Sequence, residues 1–268
     1  LLRNRTSPPR FRSRRCTGED PLVDPEQVRA NVEEVRTRIA RAAERADRDP
    51  SEIRLIAVAK TVPPEPVRWA VDAGIRDVGE NYVQELRTKR SEVPGATWHY
   101  VGTLSSGGAR AVADLADVVQ SVAGERATRR LAGRAARAGK VLDALIEIDF
   151  TGERSGVAPE EARTFADLVA TLEGLRLIGV MTIPPLVADP EESRPYFAKL
   201  RALRDDLRER HPEVLESSMG MSLDYEVAVE EGATMVRIGT ALFGPRSRPG
   251  RSEPGMQPGM HPGTKERA

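Results

Sequence analysis

Between Asp24 and Gly244, short β-branched apolar runs alternate with amphipathic stretches eight times, and this alternation constrains the fold more than any other feature. The stretch DPEQVRANVEEVRTRIARAAERA comes first. Asp24 suits an N-cap, Pro25 suits the first helical position, and Val28, Val32, Val35, Ile39 and Ala43 recur at three- and four-residue steps, which predicts an amphipathic helix. IRLIAVA then predicts the first strand, and PEPVRWAVDAG a helix ending at Gly74. IRDVGEN, TWHYVGTL, DVVQSVA, VLDALIEIDF, LRLIGVMTI, LESSMGM and TMVRIGTALFG follow as strands two to eight, with a helical stretch between each pair. Such alternation predicts a parallel sheet with right-handed crossovers. Eight strands fit a single α/β domain of the (β/α)₈ (TIM) barrel type, which typically needs about 250 residues. An open doubly wound sheet is the alternative. It usually has fewer strands, and the first turn here, AKTVPPEP, lacks the G-x-G-x-x-G phosphate fingerprint.

The two ends differ from this pattern. Residues 1–22 carry Arg3, Arg5, Arg10, Arg12, Arg14 and Arg15 without an apolar core, so they read as a disordered basic tail and not as a secretory signal. Residues 247–268 are rich in Pro and Gly, lack periodicity, and read as a second disordered tail. The barrel is therefore expected over 23–246. Basic and acidic residues balance at 41 each, which removes a general pull towards nucleic acid or anionic membranes. No apolar run approaches the ~20 residues of a membrane span. The single cysteine, Cys16, excludes an internal disulfide framework and suits a reducing, cytoplasmic setting. Three scattered histidines and that cysteine offer no metal-ligand spacing.

In a barrel of this kind the chemistry lies at the C-terminal ends of the strands. Lys60 follows strand one, Asn81 ends strand two, Thr182 falls near the end of strand six, and Ser218 and Met221 close strand seven. Gly239 and Thr240 follow the Val-Arg-Ile of strand eight. Lys60 is one of five lysines in a chain whose cations are mostly arginine. It is either a solvated strand end or an amine that is desolvated enough to form a Schiff base. SSMGMS and VRIGTALFG combine hydroxyls and glycines after strands seven and eight, where barrels commonly bind phosphate. Gly220 and Gly239 serve either that purpose or tight packing. Arg237 sits inside an apolar strand and needs a partner, either a carboxylate such as Glu80 or a bound ligand. A Schiff-base lysine, a phosphate nest and an inward-facing arginine together describe a site for pyridoxal 5′-phosphate (PLP).

IAVAKT, VGENYVQE, WHYVG, GVMTI, SMGMS and TMVRIGTALFG, in this order over residues of about 24–246, resemble the pyridoxal phosphate homeostasis protein family, whose fold is similar to the N-terminal barrel of alanine racemase. The resemblance implies that Lys60 carries PLP as an aldimine and that Ser218, Gly239 and Thr240 hold its phosphate. It further implies that Arg237 faces the pyridine nitrogen and that Asn81 and Met221 contact the ring. His99 would line the pocket floor, or it is a plain core histidine. Two loops depart from the family pattern: GTLSSGGAR has Ser105, Gly107 and Gly108 where the family usually has Gln, Asn and Lys, and RSG has Arg154 for Lys.

A cationic arginine against the pyridine nitrogen disfavours its protonation and weakens the ring as an electron sink. The racemase-like enzymes add a tyrosine from a C-terminal β domain, and none of Tyr82, Tyr100, Tyr196 and Tyr225 is placed by sequence to replace it. The expectation is a PLP-binding, PLP-homeostasis protein without strong turnover, not an enzyme. It is expected to be monomeric, to bind PLP and other B6 vitamers, and to release PLP to PLP-dependent apoenzymes or to the vitamin B6 pool. The alternatives are a single-domain amino-acid racemase-like PLP enzyme, or a barrel in which Lys60 attacks a sugar phosphate.

Overall fold

The computed structural model describes residues 23–245. The expected tails, 1–22 and 247–268, lie outside the described residues. Eight parallel strands close into a barrel in sequence order: β1 (Arg54–Val58), β2 (Asp77–Glu80), β3 (Thr97–Tyr100), β4 (Val118–Val122), β5 (Leu142–Ile148), β6 (Leu175–Thr182), β7 (Glu216–Ser218) and β8 (Met235–Ile238). β8 pairs with β1 from Arg54 opposite Met235 to Ala57 opposite Ile238, which shuts the sheet.

The helices α1 (Pro25–Arg45), α2 (Pro64–Asp72), α3 (Val83–Glu92), α4 (Ala109–Leu115), α5 (Glu125–Arg137), α6 (Ala162–Ala170), α7 (Arg194–Arg208), α8 (Tyr225–Glu230) and α9 (Thr240–Phe243) form the outer layer. α1 starts where its sequence predicts. The Asp24 carboxylate accepts from Gln27 N at 2.8 Å and Pro25 opens the first turn. Its buried stripe of Val28, Val32, Val35, Ile39, Ala42 and Ala43 packs against α2, α8 and α9. Each valine or isoleucine of the stripe contributes about 1.5–3 kcal/mol when fully buried.

Side-chain alternation along the strands separates two cores. Leu55, Ala57, Val119, Ala144, Ile146, Val180 and Val236 face the helices. Ile56, Val118, Leu145, Met181 and Met235 point the other way and plug the barrel. His99, Gln120, Ser218 and Arg237 are also buried and share that interior.

Several strands are shorter than the sequence expectation, and two of these differences shape the mouth. TMVRIGTALFG, read as one strand, stops at Ile238; Gly239 takes φ −117° and ψ −76°, and Thr240–Phe243 turns helical. LESSMGM keeps only Glu216–Ser218 in the sheet. Gly220 has φ +87°, and a Cβ there would lie 2.5 Å from Ala228 Cβ and 2.9 Å from Tyr225 Cα. The turn and the packing of α8 therefore require glycine at this position.

Candidate functional site

The C-terminal mouth of the barrel holds a cavity of about 260 Å³. Lys60, Asn81, Met221, Arg237, Gly239 and Thr240, which come from the ends of four strands, all line it. A second lobe shares Lys60, Asn81 and Met221 and adds Thr103, Glu147, Arg154 and Ser155. Of the two divergent loops, the second reaches the wall through Arg154, whereas Ser105, Gly107 and Gly108 of the first line neither lobe.

Lys60 sits in a tightly held turn. Ala59 N donates to Gly79 O at 2.8 Å, which extends the β1–β2 ladder, and Thr61 then adopts φ 63°, an uncommon conformation for a β-branched residue. A buried charge cluster holds the peptides on either side. Lys89 Nζ, on α3, donates to Ala59 O at 2.7 Å, to Glu80 Oε1 at 2.5 Å and to Glu85 Oε2 at 2.6 Å. The same Glu85 oxygen accepts from Thr61 N at 2.8 Å. Glu80 Oε2 accepts from Asn81 N at 2.7 Å and from Tyr82 N at 3.2 Å. Burial pushes Glu80 above the usual carboxylate range against the pull of Lys89. For Glu85 burial acts the same way, but the hydrogen bonds from Lys89 and Thr61 N outweigh it and hold the group low.

Asn81 lines both lobes, and its Oδ1 is buried without a hydrogen-bond partner among the described residues. Gly102 lets the chain come this close to it: a Cβ at position 102 would lie 2.1 Å from Asn81 O.

Arg237 is 4% exposed. Glu80 is committed to Lys89, so it is not the partner of Arg237. NH1 donates to Ser218 Oγ at 2.7 Å and NH2 to Thr182 O at 2.8 Å, which uses two of five donors. Burial lowers its pKa to about 10, while the carboxylates of Glu147 and Asp224 act to raise it, so it stays charged at neutral pH.

Ser218 does not line the cavity. It is fully buried beneath Arg237 and donates to Gln120 Oε1 at 2.7 Å. The serine that lines the cavity is Ser222, four residues on in the same SMGMS run, which accepts from Gly239 N at 3.3 Å and Ala241 N at 3.4 Å. Sequence reasoning missed it because both serines belong to one motif and the Gly220 turn decides which faces out. Met221 N is held by Asp224 Oδ1 at 2.7 Å. His99 lies below the floor, between Asp77 and Gln120, and does not line the cavity. Among the described residues no group of three His, Cys, Asp or Glu could hold a metal.

The donor set fits a phosphorylated aromatic aldehyde. Lys60 supplies an amine, Ser222 with the backbone of Gly239 and Thr240 suits a phosphate, Arg237 supplies spare donors, and Asn81 an unpaired acceptor.

Comparison with known proteins agrees. Residues 23–247 match the alanine racemase N-terminal domain family. The pyridoxal phosphate homeostasis protein of Aquifex aeolicus is 40% identical over 214 residues, 78% of this chain and 94% of that protein. The Pseudomonas aeruginosa protein of the same name is 40% identical over 223 residues, 82% and 96% of the two chains. PipY of Synechococcus elongatus, solved without PLP and with PLP bound, superposes with a TM-score of 0.73 at 32% identity, covering 81% of this chain and 100% of PipY. With an alanine racemase-type barrel and relatives this similar over nearly their whole length, this chain belongs to the pyridoxal phosphate homeostasis protein family.

Proposed function

We propose that this chain binds PLP at the barrel mouth and serves PLP homeostasis, holding the cofactor covalently through Lys60 and releasing it without strong turnover. The observation that carries the reading is the convergence of Lys60, the unpaired Asn81 Oδ1, and the spare donors of Arg237 on one cavity. The names of the curated relatives and the PLP-bound PipY structure support it. When bound, PLP supplies an aldehyde that accepts an amine and a ring that can act as an electron sink. Ser222, Gly239 and Thr240 would hold its phosphate, and this assignment replaces Ser218 in that role. Arg237, a cation at neutral pH, would face the ring nitrogen and keep a proton off it. Asn81 would take a donor from the ring substituents, and Met221 would pack on the ring.

The carrier reading is supported by the cavity wall, whose described lining residues include no tyrosine. Tyr100 donates to Thr103 O at 3.3 Å and burial raises its pKa, while burial pushes Tyr225 up to about 12. A monomeric state, a cytoplasmic setting, binding of other B6 vitamers and transfer to PLP-dependent apoenzymes belong to the same proposal. No helix among the described residues is long and apolar enough to cross a membrane.

The test is an absorbance spectrum of the purified full chain with PLP, repeated for Lys60→Ala, followed by borohydride reduction and peptide mass analysis. The expected result is a Lys60-dependent band and a pyridoxyl group on Lys60. Absence of the band in the unmodified chain would remove the reading. Sustained appearance of D-amino acids from L-amino acids would replace the carrier role with a racemase-like one.

A further inference from the structure

Five side chains from five strands form one unbroken hydrogen-bonded chain through the barrel interior. Asp77 Oδ1 (β2) is 2.8 Å from His99 Nε2 (β3), and His99 Nδ1 is 2.9 Å from Gln120 Nε2 (β4). Gln120 Oε1 accepts from Ser218 Oγ (β7) at 2.7 Å, and Ser218 Oγ accepts from Arg237 NH1 (β8) at 2.7 Å. His99, Gln120, Ser218 and Arg237 are all buried. The Asp77 side chain is 14% exposed and opens on a separate cavity at the N-terminal end of the barrel.

With the Gln120 amide oriented as it is, the links run in one consistent direction. A guanidinium only donates, so Ser218 Oγ accepts from Arg237 and its own proton goes to Gln120 Oε1. That orientation turns the Gln120 amide nitrogen towards His99, and its second N–H meets Met235 Sδ at 3.7 Å. His99 Nδ1 is then an acceptor, so the ring proton lies on Nε2, where Asp77 Oδ1 accepts it. The opposite orientation would need a proton on His99 Nδ1 and would leave Ser218 Oγ accepting from both Gln120 and Arg237. The chain therefore joins the Arg237 guanidinium at the mouth to the Asp77 carboxyl at the opposite end through three side chains.

We propose that Asp77, His99 and Gln120 act through Ser218 to fix the plane and height of the Arg237 guanidinium, so that its remaining N–H groups meet the ring of a cofactor bound at the mouth. They are positioning residues: none of the three lines the cavity, and Ser218 is the link between them and Arg237. The part concerning the cofactor rests on the proposed PLP reading. The internal orientation does not.

Two measurements on the full chain test it. The first uses no cofactor. ¹⁵N NMR of the His99 ring is expected to show the Nε2–H tautomer. In Gln120→Glu, whose carboxylate can only accept, a proton is expected on Nδ1 as well. An Nδ1–H tautomer in the unmodified chain, or no change in Gln120→Glu, overturns the chain's direction. The second titrates PLP by absorbance into the unmodified chain and into Gln120→Met, which keeps the volume and removes the hydrogen bonds. PLP is expected to bind on the order of tenfold more weakly to the variant, as when one buried polar partner is lost, with a displaced absorbance maximum and cooperative thermal unfolding retained. A folded variant with unchanged affinity and spectrum overturns the positioning role. Should Gln120→Met not fold, Ser218→Ala cuts the same chain with a smaller change in volume, and the same two outcomes decide. Failure of the unmodified chain to bind PLP is a separate result, which removes the cofactor reading while the NMR result still decides the orientation.

Discussion

Lys89 Nζ stands 2.7 Å from the carbonyl oxygen of Ala59, the residue just before Lys60. Through Glu85, which it also holds, the same ammonium reaches the N–H of Thr61, the residue just after. A buried ion cluster on the neighbouring βα unit thus sets the turn from which Lys60 projects. Removing one member of a buried charge group leaves the others uncompensated, at a cost of about 3–5 kcal/mol. Lys89→Met is expected to lower the unfolding free energy by about that amount and to slow borohydride trapping of PLP on Lys60. Urea titration and trapping rates check the two effects. Glu85→Gln keeps an acceptor for Thr61 N and should lose only about 1–3 kcal/mol.

Ser222 and Ser218 are expected to separate on substitution. Ser222→Ala should weaken binding of PLP about tenfold, the effect of one charge-assisted hydrogen bond, and leave unphosphorylated pyridoxal unaffected. Equilibrium titration with the two vitamers checks this. Equal losses for both would place the phosphate away from Ser222.

Gly102→Ala should disturb the site through the backbone. The added Cβ falls 2.1 Å from Asn81 O, so strand ends β2 and β3 must separate. Overpacking of this kind costs about 1–3 kcal/mol, and Asn81 is displaced from both lobes. Thermal unfolding together with PLP affinity should report a loss in each.

Glu147 lines the second lobe, and burial pushes its pKa above the usual carboxylate range although Arg237 and Arg154 pull it down. The folded state therefore keeps a proton that the unfolded chain releases near its ordinary value of about 4.3. Between that value and the raised one the folded state binds more protons, so stability falls as pH rises. Glu147→Gln should remove this fall and raise the melting temperature at neutral pH relative to the unmodified chain. Melting temperatures measured across pH 4–8, a range of about four units that brackets the ordinary carboxylate value, check the sign.

Sequence pattern reached a good part of the site. The eightfold alternation predicted the barrel, and six of the seven candidate residues line one cavity because strand ends in a closed parallel barrel must converge. Other features were not legible. TALFG continues an apolar run and reads as strand; its helical turn depends on how Gly239 leaves the barrel. Lys89 lies in a charged helical stretch, and only docking of α3 against β1 and β2 buries it.

What this sequence determined alone is local: the period-two and period-3.6 patterns, the Asp24–Pro25 cap, the glycines at forced turns, and the residue types at each strand end. Those depend on neighbours a few residues apart. Tertiary structure decided which polar groups meet across the barrel. Asp77, His99, Gln120, Ser218 and Arg237 are spread over 160 residues and form one chain only because closure brings β2, β3, β4, β7 and β8 around a common interior. A buried donor must find its acceptor wherever the fold has placed one, and sequence spacing carries no record of that distance.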